Sequence, residues 1–276
     1  MKADLHIHSV YSDGVLTPSE LARKARAEGL DLISITDHDN LSGEDDKRRA
    51  MEVNGLCYLC GWEISAFTDQ KVHILGYGCR IEKPYEQFLE KRRTEALERT
   101  VEIIRRANQY LGLDVTLEEV ERESFLPGNV LHAVYAVRAF AKRLRRNDME
   151  LYSDLFHYGK PLYVMPRRPA PQEAIDIIHE LGGVAVLAHP GRMRAEGKKE
   201  LFDQLVSRGI DGIECHYTTH TEAETEDYLA FARKHKLFIT GGSDYHYENG
   251  RPVFGKPVYV ADENFLARAL SSQGGD

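Results

Sequence analysis

The first apolar run of this chain ends in His6-Ile7-His8, and the alternation of a strand puts both imidazoles on one face, converging on a single point. Two histidines so placed make an edge for a metal ion. Asp13 follows in the next loop, and the second apolar run, Leu32-Ile33-Ser34-Ile35, opens into Thr36-Asp37-His38-Asp39. The third run ends at Glu63, the fourth begins with His73, and the fifth ends in Ala188-His189-Pro190. The sixth ends at Glu214, and the seventh leads into Gly241-Gly242-Ser243-Asp244-Tyr245-His246. One sheet edge thus collects at least five histidines and four carboxylates. In parallel α/β folds that edge is where sites lie. His73 is the exception, standing at the start of its run. Histidine and carboxylate without thiolate suit manganese, iron or zinc better than magnesium or calcium. About nine ligands exceed what one ion needs once water and substrate are given positions, so two or three divalent ions are expected, with Glu63 placed to bridge.

These residues require strands that end together. Lys2–Ile7 reads as the first strand, and Thr17-Pro18-Ser19-Glu20 supplies a capping box with proline at the first helical position, so a helix should start at Pro18. Gly29 is placed to end it in the left-handed region, and Asp31–Thr36 resumes as a strand. Further strands are expected at Leu56–Glu63, Val72–Tyr77, Val184–Ala188, Ile210–Cys215 and Leu237–Thr240. About seven strands alternating with helices suit an α/β barrel built on a buried parallel sheet. Residues 85–157 instead carry long charged helical patterns, Phe88–Leu111 and Val130–Leu144, and are read as an inserted helical subdomain. Residues 1–84 and 158–276 then form the metal-binding barrel, with a helix expected from Pro171 to Leu181.

Composition narrows the partners. Thirty-six basic against 44 acidic residues give a formal net charge of −8, which repels a nucleic-acid backbone unless metals or local arginines reverse the field. No apolar stretch is long enough to span a bilayer, and no signal h-region follows Met1, so a soluble cytoplasmic protein is expected. Of the four cysteines, Cys57 and Cys60 form a CxxC without a companion pair and read as strand filler.

Taken as a set, the HxH at His6, Ser12-Asp13-Gly14, the TDHD at Thr36, Ala188-His189-Pro190-Gly191 and the GGSDYH at Gly241 resemble the PHP (polymerase and histidinol phosphatase) superfamily in order and spacing. That resemblance implies a distorted seven-stranded (β/α) TIM-like barrel with two or three metals at its carboxyl face. It implies His6, His8, Glu63 and Asp244 as ligands of one ion, Asp13, His38 and His246 of a second, and Glu63, His73 and His189 of a third. Asp37 and Asp39 would orient His38 or the bridging water. The helical insertion and the Gly159-Lys160-Pro161 segment resemble the branch that acts on nucleoside 3′,5′-bisphosphates or the 5′ ends of short RNA, where Asp13 stands in place of a further histidine.

Relatives in that branch carry an Arg-x-His pair that is suited to phosphate, whereas this chain has Val130-Leu131-His132. Arg92 and Arg99, seven apart on one helix face, and Arg192 after His189 are the candidates to replace the grip, with His132 beside them. His220, after the sixth strand, is placed to meet a leaving group or a phosphate oxygen. The expected chemistry is hydrolysis of a small phosphorylated substrate, a nucleotide or short RNA, by a metal-bridging hydroxide, with no side-chain nucleophile. The rivals are a histidinol-phosphatase-like or proofreading activity, and a non-catalytic module whose metals only stabilise the fold.

Overall fold

Thr17 and Glu20 cap each other as their spacing predicts: the Thr17 side chain accepts from the Glu20 N–H, and the Glu20 carboxylate accepts from the Thr17 N–H at 2.8 Å. In the computed structural model, which describes residues 1–247 and 253–271, this box opens helix α1 (Pro18–Ala27) between strands β1 (Lys2–Ile7) and β2 (Leu32–Ile35). Gly29 adopts φ +69° just beyond the helix end. Helix α2 (Glu44–Val53) then leads to β3 (Cys57–Tyr58), β4 (Gly61–Phe67) and β5 (Lys71–Tyr77). Four helices follow: α3 (Lys83–Leu111), α4 (Leu117–Glu121), α5 (Ala133–Leu144) and α6 (Asp148–Leu155). The chain returns through α7 (Pro171–Glu180), β6 (Val184–Leu187), α8 (Lys198–Ser207), β7 (Gly212–Tyr217), α9 (Glu222–His235), β8 (Phe238–Gly242), β9 (Tyr259–Val260) and α10 (Glu263–Ser271).

The strands do not close into one ladder. Among the described residues the mixed α/β fold has two mixed sheets, ordered β3-β2-β1-β9 and β4-β5-β6-β7-β8, and no closed barrel is found where a distorted (β/α) barrel is expected. The single strand expected over Leu56–Glu63 divides, because β3 pairs parallel to β2 for two residues before β4 turns away to join β5. Gly61 marks that crossing, where a Cβ would lie 2.4 Å from Ser34 Oγ. The sheet is also not wholly parallel. β4 and β5 are joined by a turn at Thr68, whose N–H donates to Gln70 O at 3.0 Å, and so short a connection obliges antiparallel pairing. β5 is antiparallel to β6 too, so its first residues lie beside the last residues of β6. β9, antiparallel to β1, has no counterpart among the sequence expectations.

The two sheets meet at one end. Isolated bridges join Ile7 to Tyr245 and His38 to Glu63. Asp244 N–H donates to His6 O at 2.7 Å, and Asp39 N–H to Glu63 O at 2.9 Å. The space between the sheets is filled by Leu5, Leu75, Tyr77, Val186 and Tyr259, with Phe265 of α10. Outside, α7, α8 and α9 cover the five-stranded sheet through Ile178, Leu205 and Ala232. Helices α3 to α6 hold an apolar cluster of their own around Tyr135, Phe140 and Leu151, completed by Leu162 from the returning chain. No described helix is long and apolar enough to cross a membrane.

Gly242 is where β8 lies against β1: a Cβ there would meet His6 Cβ at 2.4 Å and His6 N at 2.6 Å. Gly242→Ala therefore lowers stability by about 2 kcal/mol, measured as a drop in the urea midpoint at unchanged slope. An alanine variant as stable as the parent would show that this approach does not pin the sheets together.

Candidate active site

The seam between the sheets is also where the histidines converge. Glu63 of β4 stands at its centre, fully buried. Its Oε2 lies 3.3 Å from Nε2 of both His6 and His8 and 3.0 Å from His38 Nδ1. Its Oε1 lies 2.6 Å from His73 Nδ1 and 2.9 Å from His189 Nε2. His73 reaches this point because β5 runs antiparallel, which brings the start of that strand beside His189 at the end of β6. Asp244 faces the same histidines, with Oδ1 3.1 Å from His8 Nε2 and 3.4 Å from His6 Nε2. On the other side of His8, Asp13 lies 3.3 Å from His246 Nε2 and 3.9 Å from His38 Nε2.

Three sets of donor atoms each lie within 4.8 Å of one another: His6, His8, Glu63 and Asp244; His8, Asp13, His38 and His246; and His38, Glu63 and His73. His189 touches the same Glu63 oxygen as His73 but falls outside these sets, while His38 takes part in two of them. Five buried donor atoms in the cluster make no hydrogen bond: His6 Nε2, both ring nitrogens of His8, His38 Nδ1 and Glu63 Oε2. Each such atom costs about 1–3 kcal/mol unless something satisfies it. Divalent cations would satisfy all of them at once, so the residues fit a metal cluster.

The ionisation states agree. Burial pushes Glu63 up, but the surrounding imidazoles outweigh it and hold the carboxyl well below its usual range. Burial pushes His38 down to about 3, leaving the neutral ring that a metal needs. His8 goes the other way, since Asp244 and Glu63 overcome burial and carry it up to about 9, so a cation entering there displaces a proton.

A surrounding layer aims these groups. Glu214 Oε1 lies 3.0 Å from His6 Nδ1 and its Oε2 accepts the His189 N–H at 2.7 Å, which turns His6 Nε2 inward. Asp244 Oδ2 accepts from Tyr217 OH at 2.9 Å and Arg192 Nη1 at 2.7 Å, leaving Oδ1 for the cluster. Asp37, expected to orient His38 or a bridging water, makes its contacts with Ser9, Ser12 and Lys47. Its Oδ1 accepts from Ser9 N–H and Ser12 Oγ at 2.8 and 2.7 Å, its Oδ2 from Ser9 Oγ at 2.8 Å, and Lys47 Nζ sits 2.6 Å away. Asp37 is thus the clamp of the loop that carries Asp13. Asp39 Oδ1 accepts from Ser65 N–H at 2.9 Å. His220 is also placed differently from expectation. Its Nδ1 donates to Cys215 O at 2.9 Å and its Nε2 accepts from Gly191 N–H at 3.0 Å, so both nitrogens are spent on holding the Pro190–Arg192 turn.

A cavity of about 570 Å³ opens in front of the cluster, and Arg92, Arg99, His132 and Arg192 all line it. The His132 ring is 6.1 Å from that of His38, and its Nε2 makes no hydrogen bond. Lys71 and Arg168 line the same cavity and escaped sequence reasoning, as did the Lys47 clamp. Arg168 lies in Pro166-Arg167-Arg168-Pro169, where no periodic pattern reveals direction; the doubled arginine between prolines was the one available signal.

The profile of the PHP domain matches residues 4–160, more than half of the chain. The chain belongs to the PHP family. Over 265 residues, covering 95% of this chain and 96% of the relative, this PHP protein is 29% identical to a 5′-3′ exoribonuclease of Haemophilus influenzae. It is 31% identical over 264 residues to a phosphoribosyl 1,2-cyclic phosphate 1,2-diphosphodiesterase of Eggerthella lenta, covering 91% of this chain and 96% of that one. Its fold matches that of a Bifidobacterium adolescentis protein assigned as a metal-dependent phosphoesterase, with TM-score 0.86, 27% identity and coverage of 99% and 96% of the two chains.

Manganese at about 100 times its dissociation constant stabilises the protein by about 2.7 kcal/mol, read as a rise in Tm, and Glu63→Gln removes most of that rise. An equal rise in the variant would dismiss Glu63 as the shared ligand. Lys47→Met leaves Asp37 buried without its cation and costs about 3–5 kcal/mol in urea unfolding, whereas a loss below 1 kcal/mol would show the clamp to be dispensable.

Proposed function

We propose that this PHP protein is a metal-dependent phosphoesterase that hydrolyses phosphate esters of nucleotides: a mononucleotide, a 3′,5′-bisphosphate or the 5′ end of short RNA. The observation that carries the reading is the pairing of five unsatisfied buried donor atoms with a cavity that Lys71, Arg92, Arg99, Arg168 and Arg192 also line. His6, His8, Glu63 and Asp244 would hold one ion, Asp13, His38 and His246 with His8 a second, and Glu63, His73 and His38 or His189 a third. Histidine with carboxylate favours manganese, with iron or zinc as the alternatives. When bound, the ions supply the Lewis acidity that phosphoester hydrolysis requires near neutral pH.

The chain's own residues do the rest. Asp244 is held at Oδ2 by Arg192 and Tyr217, so its other oxygen keeps a fixed direction. Arg192 thereby stands at the mouth with a guanidinium beside the cluster, suited to a phosphoryl oxygen. Residues 85–157 act as a subdomain that covers a distorted barrel made from residues 1–84 and 158–276, and His132 projects from that cover toward His38. The two curated relatives act, by their names, on RNA and on a phosphoribosyl cyclic phosphate, both phosphorylated pentoses. A nucleotide is the substrate class that this shared chemistry supports. Four free cysteines, three of them buried, fit the reducing cytoplasm.

The test is to load the protein with manganese, verify ion content, and follow phosphate or nucleotide release from AMP, adenosine 3′,5′-bisphosphate and 5′-phosphorylated short RNA. At least one is hydrolysed, and Asp244→Asn lowers kcat/KM by about 100-fold. Turnover of none of them by metal-replete protein would overturn the reading.

A further inference from the structure

The three donor sets at the seam are not held in the same way. Most of the candidate ligands lie on strands or are tied to them by main-chain bonds, so the sheets fix their positions. Asp13 is different. It lies in the loop after β1, and its side chain is the most exposed of the nine candidates, at 24%, so close packing does not hold it. Its oxygens reach His246 Nε2 at 3.3 Å, His8 Nδ1 at 3.8 Å and His38 Nε2 at 3.9 Å, and it is the one carboxylate of that donor set.

The direction of this carboxylate is set from α2. Ser9 N–H, Ser9 Oγ and Ser12 Oγ donate to Asp37 at 2.8, 2.8 and 2.7 Å, which folds the loop around one buried side chain. Lys47 of α2, fully buried, places Nζ 2.6 Å from Asp37 Oδ2 and 5.5 Å from the centre of the Tyr11 ring. Beside it, Asp46 accepts from Tyr11 OH at 3.1 Å, and a Cβ at Gly43 would run into the same ring. α2 is itself fixed, since Ala50 and Met51 share an apolar cluster with Leu21, Ile33 and Ile35, and Tyr58 OH donates to Glu44 at 2.9 Å.

A fully buried lysine needs a reason. Burial opposes its charge, but Asp37 and Glu44 outweigh burial and hold the ammonium above its usual range. Apolar side chains of the same volume stabilise a fold as well as a buried ion pair does, so what this pair adds is direction. Lys47 locates Asp37, and Asp37 locates the loop. Of the three donor sets, only one takes a ligand from that loop. His38 follows Asp37 in the chain, yet its main chain is held independently, by Glu63 N–H on Asp37 O at 3.2 Å and Asp39 N–H on Glu63 O at 2.9 Å.

We propose that Lys47 is a positioning residue for the ion held by Asp13, acting through Asp37 and the Ser9–Asp13 loop, and that it sets the affinity of that ion alone. The inference rests on the metal-cluster reading above and divides the cluster into ions held by the sheets and one held through α2.

Manganese binding tests it without any substrate. Metal-free protein is dialysed to equilibrium against a graded series of manganese concentrations, bound ions per chain are counted by elemental analysis, and circular dichroism confirms the fold. The parent binds two or three ions. Lys47→Met weakens one of them by about 10-fold to 100-fold and leaves the others within about twofold. Asp13→Asn weakens the same ion, and the double variant binds as Asp13→Asn does, because nothing is left to position. Ser9→Ala keeps the Lys47–Asp37 pair but removes the hydroxyl that joins Asp37 to Tyr11 N–H, so it weakens that ion too. Alone and combined with Asp13→Asn, it carries the test if Lys47→Met does not fold. Equal weakening of every ion, a full further loss in the double variant, or binding equal to the parent's would overturn the positioning role and leave the metal cluster standing. A parent that binds fewer than two ions would defeat the metal-cluster reading and this inference with it.

Discussion

One carboxylate has to serve five imidazoles. Glu63 presents Oε2 to His6, His8 and His38 and Oε1 to His73 and His189, all within 3.3 Å. Those rings come from β1, the end of β2, the start of β5 and the end of β6, so four separate pieces of chain must stop at one place. Metal chemistry tolerates errors of only a few tenths of an ångström in such an arrangement. Much of the rest of the fold serves this demand: the split of the third strand, the antiparallel hairpin of β4 and β5, and the glycine that lets β8 approach His6.

The same residues hold the two sheets together. His6 and Glu63 supply backbone carbonyls to the N–H groups of Asp244 and Asp39, so main chain and side chain of the ligands act on both sides of the seam. The geometry is strained where it is most needed. Asp39, His189 and Asp244, none of them glycine, adopt φ of +51°, +26° and +56°. Each such residue costs about 1–3 kcal/mol, which the surrounding packing and the closed network around Glu63 must offset. Glu214, Tyr217 and the Asp37–Lys47 clamp hold this seam from behind.

What the sequence revealed depended on whether the signal was local. β1, the capping box of α1 and the glycine after it were legible because each is specified within a few residues. The ligand types were legible because histidine and carboxylate at the ends of apolar runs have little other reason to recur. Strand direction was not, since alternation looks alike in parallel and antiparallel strands; His73 looked misplaced until the hairpin turned its strand around. How the sheets meet was not legible, because seven apolar runs indicate strand number but not the isolated bridges at Ile7–Tyr245 and His38–Glu63 that join them. The parts of Asp37 and His220 were hidden for a related reason. A polar residue next to a ligand can face the ion or face away, and here both face away, toward the backbone and Lys47. Arg168 comes from a segment without regular structure, where sequence gives no periodicity from which to infer a face.

The loop carrying Asp13 is tied not only to Asp37 but to α5 and the segment that precedes it. Tyr135 OH donates to Ser12 O, Asn129 Nδ2 to Tyr11 O at 2.7 Å, and Arg138 Nη2 to Asp13 O at 3.4 Å. Tyr135 and Val137 are neighbours on α5, yet one anchors the ligand loop while the other, like Val134, faces the cavity. The helical section is therefore a hybrid part, its anchoring side chains inseparable from the hydrolytic centre and its cavity-facing ones open to retailoring. A repertoire of substrates can diversify through Val134 and Val137 while Tyr135 keeps the reaction itself unchanged.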